Sequence, residues 1–245
     1  RWFQKALHSP SGSTARDRFH FRKAMPTKEL PNNWISLFGG SVWTQTPDGE
    51  YFLHLFDQSQ PDLNWNNSEV RIDFEQTLRF WLDLGVDGFR IDVAHGLVKE
   101  NLDQDHHAPQ ALSDALRLDI KMDSDERSSI LSTVPFFNRP GVHEIYKSWR
   151  KVFDSYDREV VSVAEVWVHP PEEAAHYVRP DELSQVFNFD LLTTPFDAKS
   201  LRHSIDSAFS ILTPVGALPT WALSNHDSPR VASRVGVEES QALFI

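Results

Sequence analysis

The sequence predicts an α/β fold, a partial (β/α)8 TIM barrel in which parallel strands alternate with helices. Two observations carry the expectation. After an irregular first quarter, helical apolar stripes alternate with short runs of strand-forming residues, the pattern of parallel β/α units. Acidic residues then stand at the ends of three of those runs, where the strands of a barrel converge on one mouth. A closed barrel takes about 250 residues before insertions, and loops claim roughly a third of this chain, so the barrel is expected to be incomplete.

Residues 1–65 are dense in Pro, Gly, Asn and Ser, as in "PSGSTARDRFHFR" and "LPNNW". They read as long loops with short strands, including a hairpin closed over "PDGE". The stretch is too aromatic for a disordered linker. From residue 66 the texture changes. "NNSEVRIDFEQTLRFWLDLG" opens on Asn/Ser start signals, carries Val70, Phe74, Leu78, Trp81 and Leu82 as an apolar stripe, and ends with Gly85, which predicts a capped helix. "VDGFRIDVA" reads as a strand. "GVHEIYKSWRKVFDSY" places Val142, Ile145, Tyr146, Trp149, Val152, Phe153 and Tyr156 at helical spacing. "REVVSVAEVW" is the next strand, "PPEEAAHYVR" a short helix, "QVFNFDLL" a candidate strand, "AKSLRHSIDSAFSIL" a helix and "LPTWALSNHD" a last strand.

The net charge of −11 argues against nucleic acid and anionic membranes as partners and suits a neutral substrate. No apolar run approaches the roughly 20 residues that span a bilayer. Cysteine is absent, so there is neither disulfide nor thiolate metal site, which is compatible with a cytoplasmic location. "DQDHHAP" at 103–109 is expected to be a solvated loop rather than a metal site, and "DSDE" at 123–126 lacks the spacing of a calcium loop. No metal and no cofactor is expected.

In "DGFRIDVAHG", Arg90 and Asp92 share one face of a strand while Phe89, Ile91 and Val93 take the other. Asp92, Glu165 in "VAEVW" and Asp227 in "LSNHD" occupy equivalent strand ends, with Arg90 and His226 beside them. Acids brought together repel, so packing alone does not choose such an arrangement. Cleavage of a glycosidic bond does: a retaining mechanism needs an ionised carboxylate as nucleophile and a protonated carboxyl as acid. Arg90 is expected to hold Asp92 ionised. The apolar run before Glu165, with Val166 and Trp167 after it, is expected to keep Glu165 protonated. Asp227 suits ligand hydroxyls and developing positive charge.

These segments resemble glycoside hydrolase family 13, the α-amylase family, and most closely its α-glucosidase/oligo-1,6-glucosidase branch. "GFRIDVAHG", "VAEVW" and "LSNHD" match three of its segments, and "QPDLNW" at 60–65 matches a fourth, near the end of the inserted B domain. The resemblance implies that Asp92 is the nucleophile, Glu165 the general acid/base and Asp227 the transition-state stabiliser. It implies that Arg90 positions Asp92 and that His226 hydrogen-bonds the first sugar. Val93, directly after the nucleophile, leans towards α-1,6 linkages in this branch. The implied substrate is a small α-linked gluco-oligosaccharide, with no cofactor; oligomeric state is left open.

The family's further segment at its third strand, Asp-x-x-x-x-His, has no match here. The resemblance therefore implies barrel strands four to seven, with a B-domain-like insertion over 1–65 and the barrel over 66–245, and a chain that turns over poorly by itself. Rival readings use the same residues. Capture of the glucosyl-enzyme by a sugar gives a transferase or isomerase of the trehalose or isomaltulose synthase type. A non-catalytic transporter-associated relative usually loses the acids that are present here. Asp62 and Asn64 are expected to form an Asx-type turn into the helix. Phe136 and Phe137 either wall an acceptor subsite or anchor their loop. His95 and Arg230 flank the matching segments without an assigned role.

Overall fold

The computed structural model describes residues 1–117 and 122–242. These form two compact units, one from Arg1–Trp81 with His95–Val142 and the other from Leu82–Ala94 with the residues from His143 onward.

The first unit holds a three-stranded antiparallel sheet of β1 (Phe21–Arg22), β2 (Trp43–Gln45) and β3 (Tyr51–Leu53), in the order β1-β3-β2. The hairpin expected over "PDGE" joins β2 to β3. Its turn closes with Thr46 N–H to Glu50 O at 2.8 Å and Gly49 N–H to Thr46 O at 3.0 Å. Gly49 takes φ 90° there, a conformation glycine reaches without a Cβ penalty. The buried Arg16 pairs with Glu50 and, at 2.5 Å, with Asp48. Such partners are what make a buried guanidinium tolerable.

The helix Ser68–Asp83 starts as expected: Asn67 Oδ1 accepts the Glu69 N–H at 2.8 Å, an N-cap bond. Val70, Leu78 and Leu82 are buried, but Trp81 is 47% exposed. Phe74, also in the expected stripe, is half-buried, and Trp81 lies about 100° round the helix from Leu82.

The expectation for Asp62 is corrected. Its Oδ2 accepts the Leu55 N–H at 2.6 Å and its Oδ1 pairs with the buried Lys99 at 2.5 Å, so a long-range ion pair replaces the local turn. Asn64 does make one, accepting the Asn66 N–H at 3.2 Å. Phe136 and Phe137 are fully buried. Phe136 packs on Trp34 at 5.2 Å and Phe137 on His95 at 4.4 Å, which makes them anchors of their loop. In "DQDHHAP", Asp103 pairs with Arg22 and Asp105 with Lys28. Asp123 of "DSDE" caps the helix Ser124–Leu131.

The second unit carries the parallel sheet. Its strands are β4 (Gly88–Ile91), β5 (Val161–Ala164), β6 (Gln185–Asn188) and β7 (Thr220–Trp221), in the order β4-β5-β6-β7. The helix Gly141–Phe153 buries Val142, Ile145, Tyr146, Trp149, Val152 and Phe153, the full expected stripe within its bounds. Tyr156 lies past its end and donates to Asp83 Oδ1 at 2.8 Å. "PPEEAAHYVR" is a 3₁₀ turn over Pro171–Val178. "QVFNFDLL" splits into β6 and a short helix, Asp190–Thr193. The last strand shrinks to two residues, so "SNHD" is loop. Among the described residues, no helix is long and apolar enough to cross a membrane.

Candidate active site

β4 and β5 are parallel neighbours whose last residues, Ile91 and Ala164, lie opposite one another. The next residue on each strand is an acid, so Asp92 and Glu165 leave the sheet side by side. Backbone bonds carry the pairing past the strand ends, with Glu165 N–H to Ile91 O and Ala94 N–H to Glu165 O, both at 2.9 Å. Phe89 and Ile91 point the other way: Phe89 stacks on Phe153 at 5.9 Å and Ile91 is buried. The expected alternation stops there. The strand ends at Ile91, and Val93 turns out of it at φ 43°, a left-handed backbone that β-branched residues rarely adopt.

Arg90 joins the two acids. One guanidinium nitrogen donates to Asp92 Oδ1 and the other to Glu165 Oε2 at 2.5 Å. The Trp167 indole N–H donates to Glu165 Oε1 at 3.0 Å. Sequence reasoning had Arg90 serving Asp92 alone and Trp167 as an apolar wall. A signal was present for the Trp167 bond, since period two puts Trp167 on the side of Glu165; the Arg90–Glu165 bond crosses between strands.

The two carboxyls differ in environment. The Glu165 side chain is 8% exposed and the Asp92 side chain 68%. Burial, reinforced by the hydrogen bond to Asp92, raises the Glu165 pKa; the Trp167 bond and Arg90 oppose this without cancelling it. Partial burial pushes Asp92 upward too. The hydrogen bond from Glu165 and the Arg90 guanidinium, with His226 farther out, outweigh it and leave Asp92 below the ordinary carboxylate value. The two neighbouring carboxyls are thus shifted in opposite directions, Glu165 up and Asp92 down.

His226 and Asp227 lie on the loop after β7. Asp227 N–H bonds Asn225 Oδ1 at 3.0 Å, and its Oδ2 faces His226 Nε2 at 3.4 Å, both side chains being exposed. The structure therefore bonds Asp92, Glu165 and Arg90 into one cluster. His226 lies within electrostatic reach of it, and Asp227 is tied to His226. Trp167 also stacks on Phe189 at 4.3 Å, and Phe189 on Phe187 at 5.5 Å, a row of rings beginning beside Glu165.

The profile of the alpha-amylase catalytic domain matches residues 1–244. The chain belongs to the α-amylase family. It has that family's catalytic-domain fold, of the TIM-barrel type, with a parallel sheet. It is 33% identical over 251 residues to trehalose-6-phosphate hydrolase of Bacillus subtilis, covering 96% of this chain and 40% of that protein. It is 33% identical over 250 residues to oligo-1,6-glucosidase of Parageobacillus thermoglucosidasius, covering 96% and 41%. Among solved structures, trehalulose synthase from Pseudomonas mesoacidophila superposes with a TM-score of 0.78 at 29% identity, covering 98% of this chain and 42% of that one. The chain spans about two fifths of the length of the curated relatives it matches.

Proposed function

We propose that this α-amylase-family protein is a retaining α-glucoside hydrolase acting on short α-linked gluco-oligosaccharides of the maltose and isomaltose type. The observation that carries the reading is the Asp92–Glu165 pair, set side by side by β4 and β5 and bridged by Arg90; the directions of their pKa shifts, Asp92 down and Glu165 up, agree with it. Opposed shifts in adjacent titratable groups assign base and acid. The pair is also close enough to hydrogen-bond, whereas an inverting mechanism needs roughly 6.5–9.5 Å between carboxyls for a water.

In the first step an Asp92 oxygen attacks the anomeric carbon and the glycosidic C–O bond breaks. The Glu165 proton passes to the leaving oxygen. In the second step the Glu165 carboxylate takes a proton from water, the water oxygen attacks the same carbon, and the ester bond to Asp92 breaks. Glu165 ends protonated, ready for another cycle. Arg90 holds both carboxyls in place and favours the ionised form of Asp92. Asp227 stabilises positive charge on the sugar ring, and His226 bonds a sugar hydroxyl. Val93 inclines the site to α-1,6 linkages. The strands β4 to β7 correspond in this reading to barrel strands four to seven, with residues 1–65 as the B-domain-like insertion and 66–245 as the barrel portion.

Likeness to a trehalulose synthase favours a second reading, in which a sugar rather than water resolves the glucosyl-enzyme. The products separate the two. Full-length protein incubated with isomaltose and maltose releases glucose in the hydrolase reading; a rearranged disaccharide without net glucose supports the isomerase. In either, Asp92→Asn lowers kcat on p-nitrophenyl α-glucoside by at least about 10³-fold. A variant within tenfold of wild type contradicts the nucleophile assignment.

A further inference from the structure

We propose that Tyr146, far from the mouth of the site in sequence, is the positioning residue that aims Asp92. Its hydroxyl clamps the Ala94 carbonyl and so holds the turn at Val93. The inference rests on the reading of Asp92 as nucleophile.

Val93 follows Asp92 directly and sits at φ 43°. A β-branched residue in that conformation is strained, and such a conformation persists only where its surroundings over-determine it. Those surroundings are fixed on both sides of the turn. Upstream, Ile91 O accepts the Glu165 N–H at 2.9 Å; downstream, the Ala94 N–H donates to Glu165 O at 2.9 Å. The remaining polar group of Ala94, its carbonyl, accepts the Tyr146 hydroxyl.

Tyr146 is well suited to this bond. It is fully buried on the helix Gly141–Phe153, and Ala94 is equally buried. Its ring packs edge-on against Trp149 at 5.4 Å and against Tyr177 at 6.0 Å, which fixes where the hydroxyl points. Burial pushes its pKa well above the ordinary phenol value, so it remains a donor throughout the working range of the enzyme. With Ala94 inaccessible, water does not replace the bond once the hydroxyl is removed. Without it, Val93 relaxes towards the ordinary backbone region and Asp92 swings away from Glu165.

Ring packing alone would make Tyr146 a core residue, and Tyr146→Phe keeps the ring. The test is therefore kinetic. Wild type, Tyr146→Phe, Val93→Gly and the double variant of the full-length protein are compared on p-nitrophenyl α-glucoside, with folded protein quantified by circular dichroism. Tyr146→Phe is expected to lower kcat at least tenfold with KM within threefold. Its pH profile narrows from both sides, because loosening the Asp92–Glu165 hydrogen bond raises the Asp92 pKa and lowers that of Glu165. Glycine takes the left-handed conformation without strain, so in the Val93→Gly background Tyr146→Phe costs less than threefold. A folded Tyr146→Phe enzyme with wild-type kcat and pH profile overturns the proposal, as does an equal loss in both backgrounds. If Tyr146→Phe fails to fold, recovery of folding in the double variant supports the clamp, and failure of both overturns it. Wild-type protein without α-glucosidase activity instead overturns the underlying functional reading.

Discussion

Arg90 and Trp167 both donate to the Glu165 carboxyl, from different directions, and its pKa is still raised. Burial, with the hydrogen bond to Asp92, outweighs the Trp167 bond and the Arg90 charge, which both favour the charged form. This ordering makes a signed prediction. Trp167→Phe removes a donor that stabilises the Glu165 carboxylate, so the Glu165 pKa rises further. The alkaline limb of the kcat/KM profile, set by loss of the Glu165 proton, moves to higher pH. The acidic limb, set by protonation of Asp92, stays near its wild-type position. Titration of kcat/KM against pH checks it, and an alkaline limb that is unchanged or falls contradicts the balance of forces described for Glu165. At this scale the sequence was legible where two residues on one strand face met, as with Arg90 and Asp92. It was less legible where one strand reached its neighbour. The Arg90–Glu165 bond depends on register, which no local pattern encodes.

Register is set between elements, and one glycine is decisive for it. A Cβ placed on Gly88 would lie 2.1 Å from the Val161 carbonyl oxygen, and backbone cannot yield as a side-chain tip can. β4 and β5 therefore approach as closely as they do because position 88 has no side chain. Gly88→Ala must shift one strand against the other, and it is predicted to destabilise the protein by about 3 kcal/mol. The lost alignment of Asp92 with Glu165 should also lower kcat. Urea unfolding together with kinetics on p-nitrophenyl α-glucoside reads both effects; an alanine variant of wild-type stability and activity contradicts the close approach. The helices were legible because they bury one wide face. Val142 to Phe153 repeated at helical spacing and all went inside. Strands were less legible. β7 has two residues although "LPTWALSNHD" reads as a longer run, because Asn225 and Ser224 turn their side chains back onto the backbone of Asp227 and Val231.

For the molecule, the alternation of strands and helices from residue 66 was enough to predict a parallel sheet, and β4-β5-β6-β7 is one. What the alternation did not contain was tertiary: the Lys99–Asp62 ion pair and the burial of Phe136 and Phe137 each depend on parts of the chain distant in sequence. Asp92 and Glu165 stand directly after β4 and β5, strand ends that can be read from the pattern, whereas Asp227 lies on the loop after β7 and not at the strand end the sequence suggests. The central claim is that Asp92 forms a covalent bond to the sugar. Full-length protein treated with a fluorinated glucosyl fluoride, which slows breakdown of the intermediate, is digested and mapped by mass spectrometry. A single glycosyl adduct on the peptide carrying Asp92, absent in Asp92→Asn, is the predicted result. An adduct on another residue, or turnover with inversion and no adduct, contradicts it.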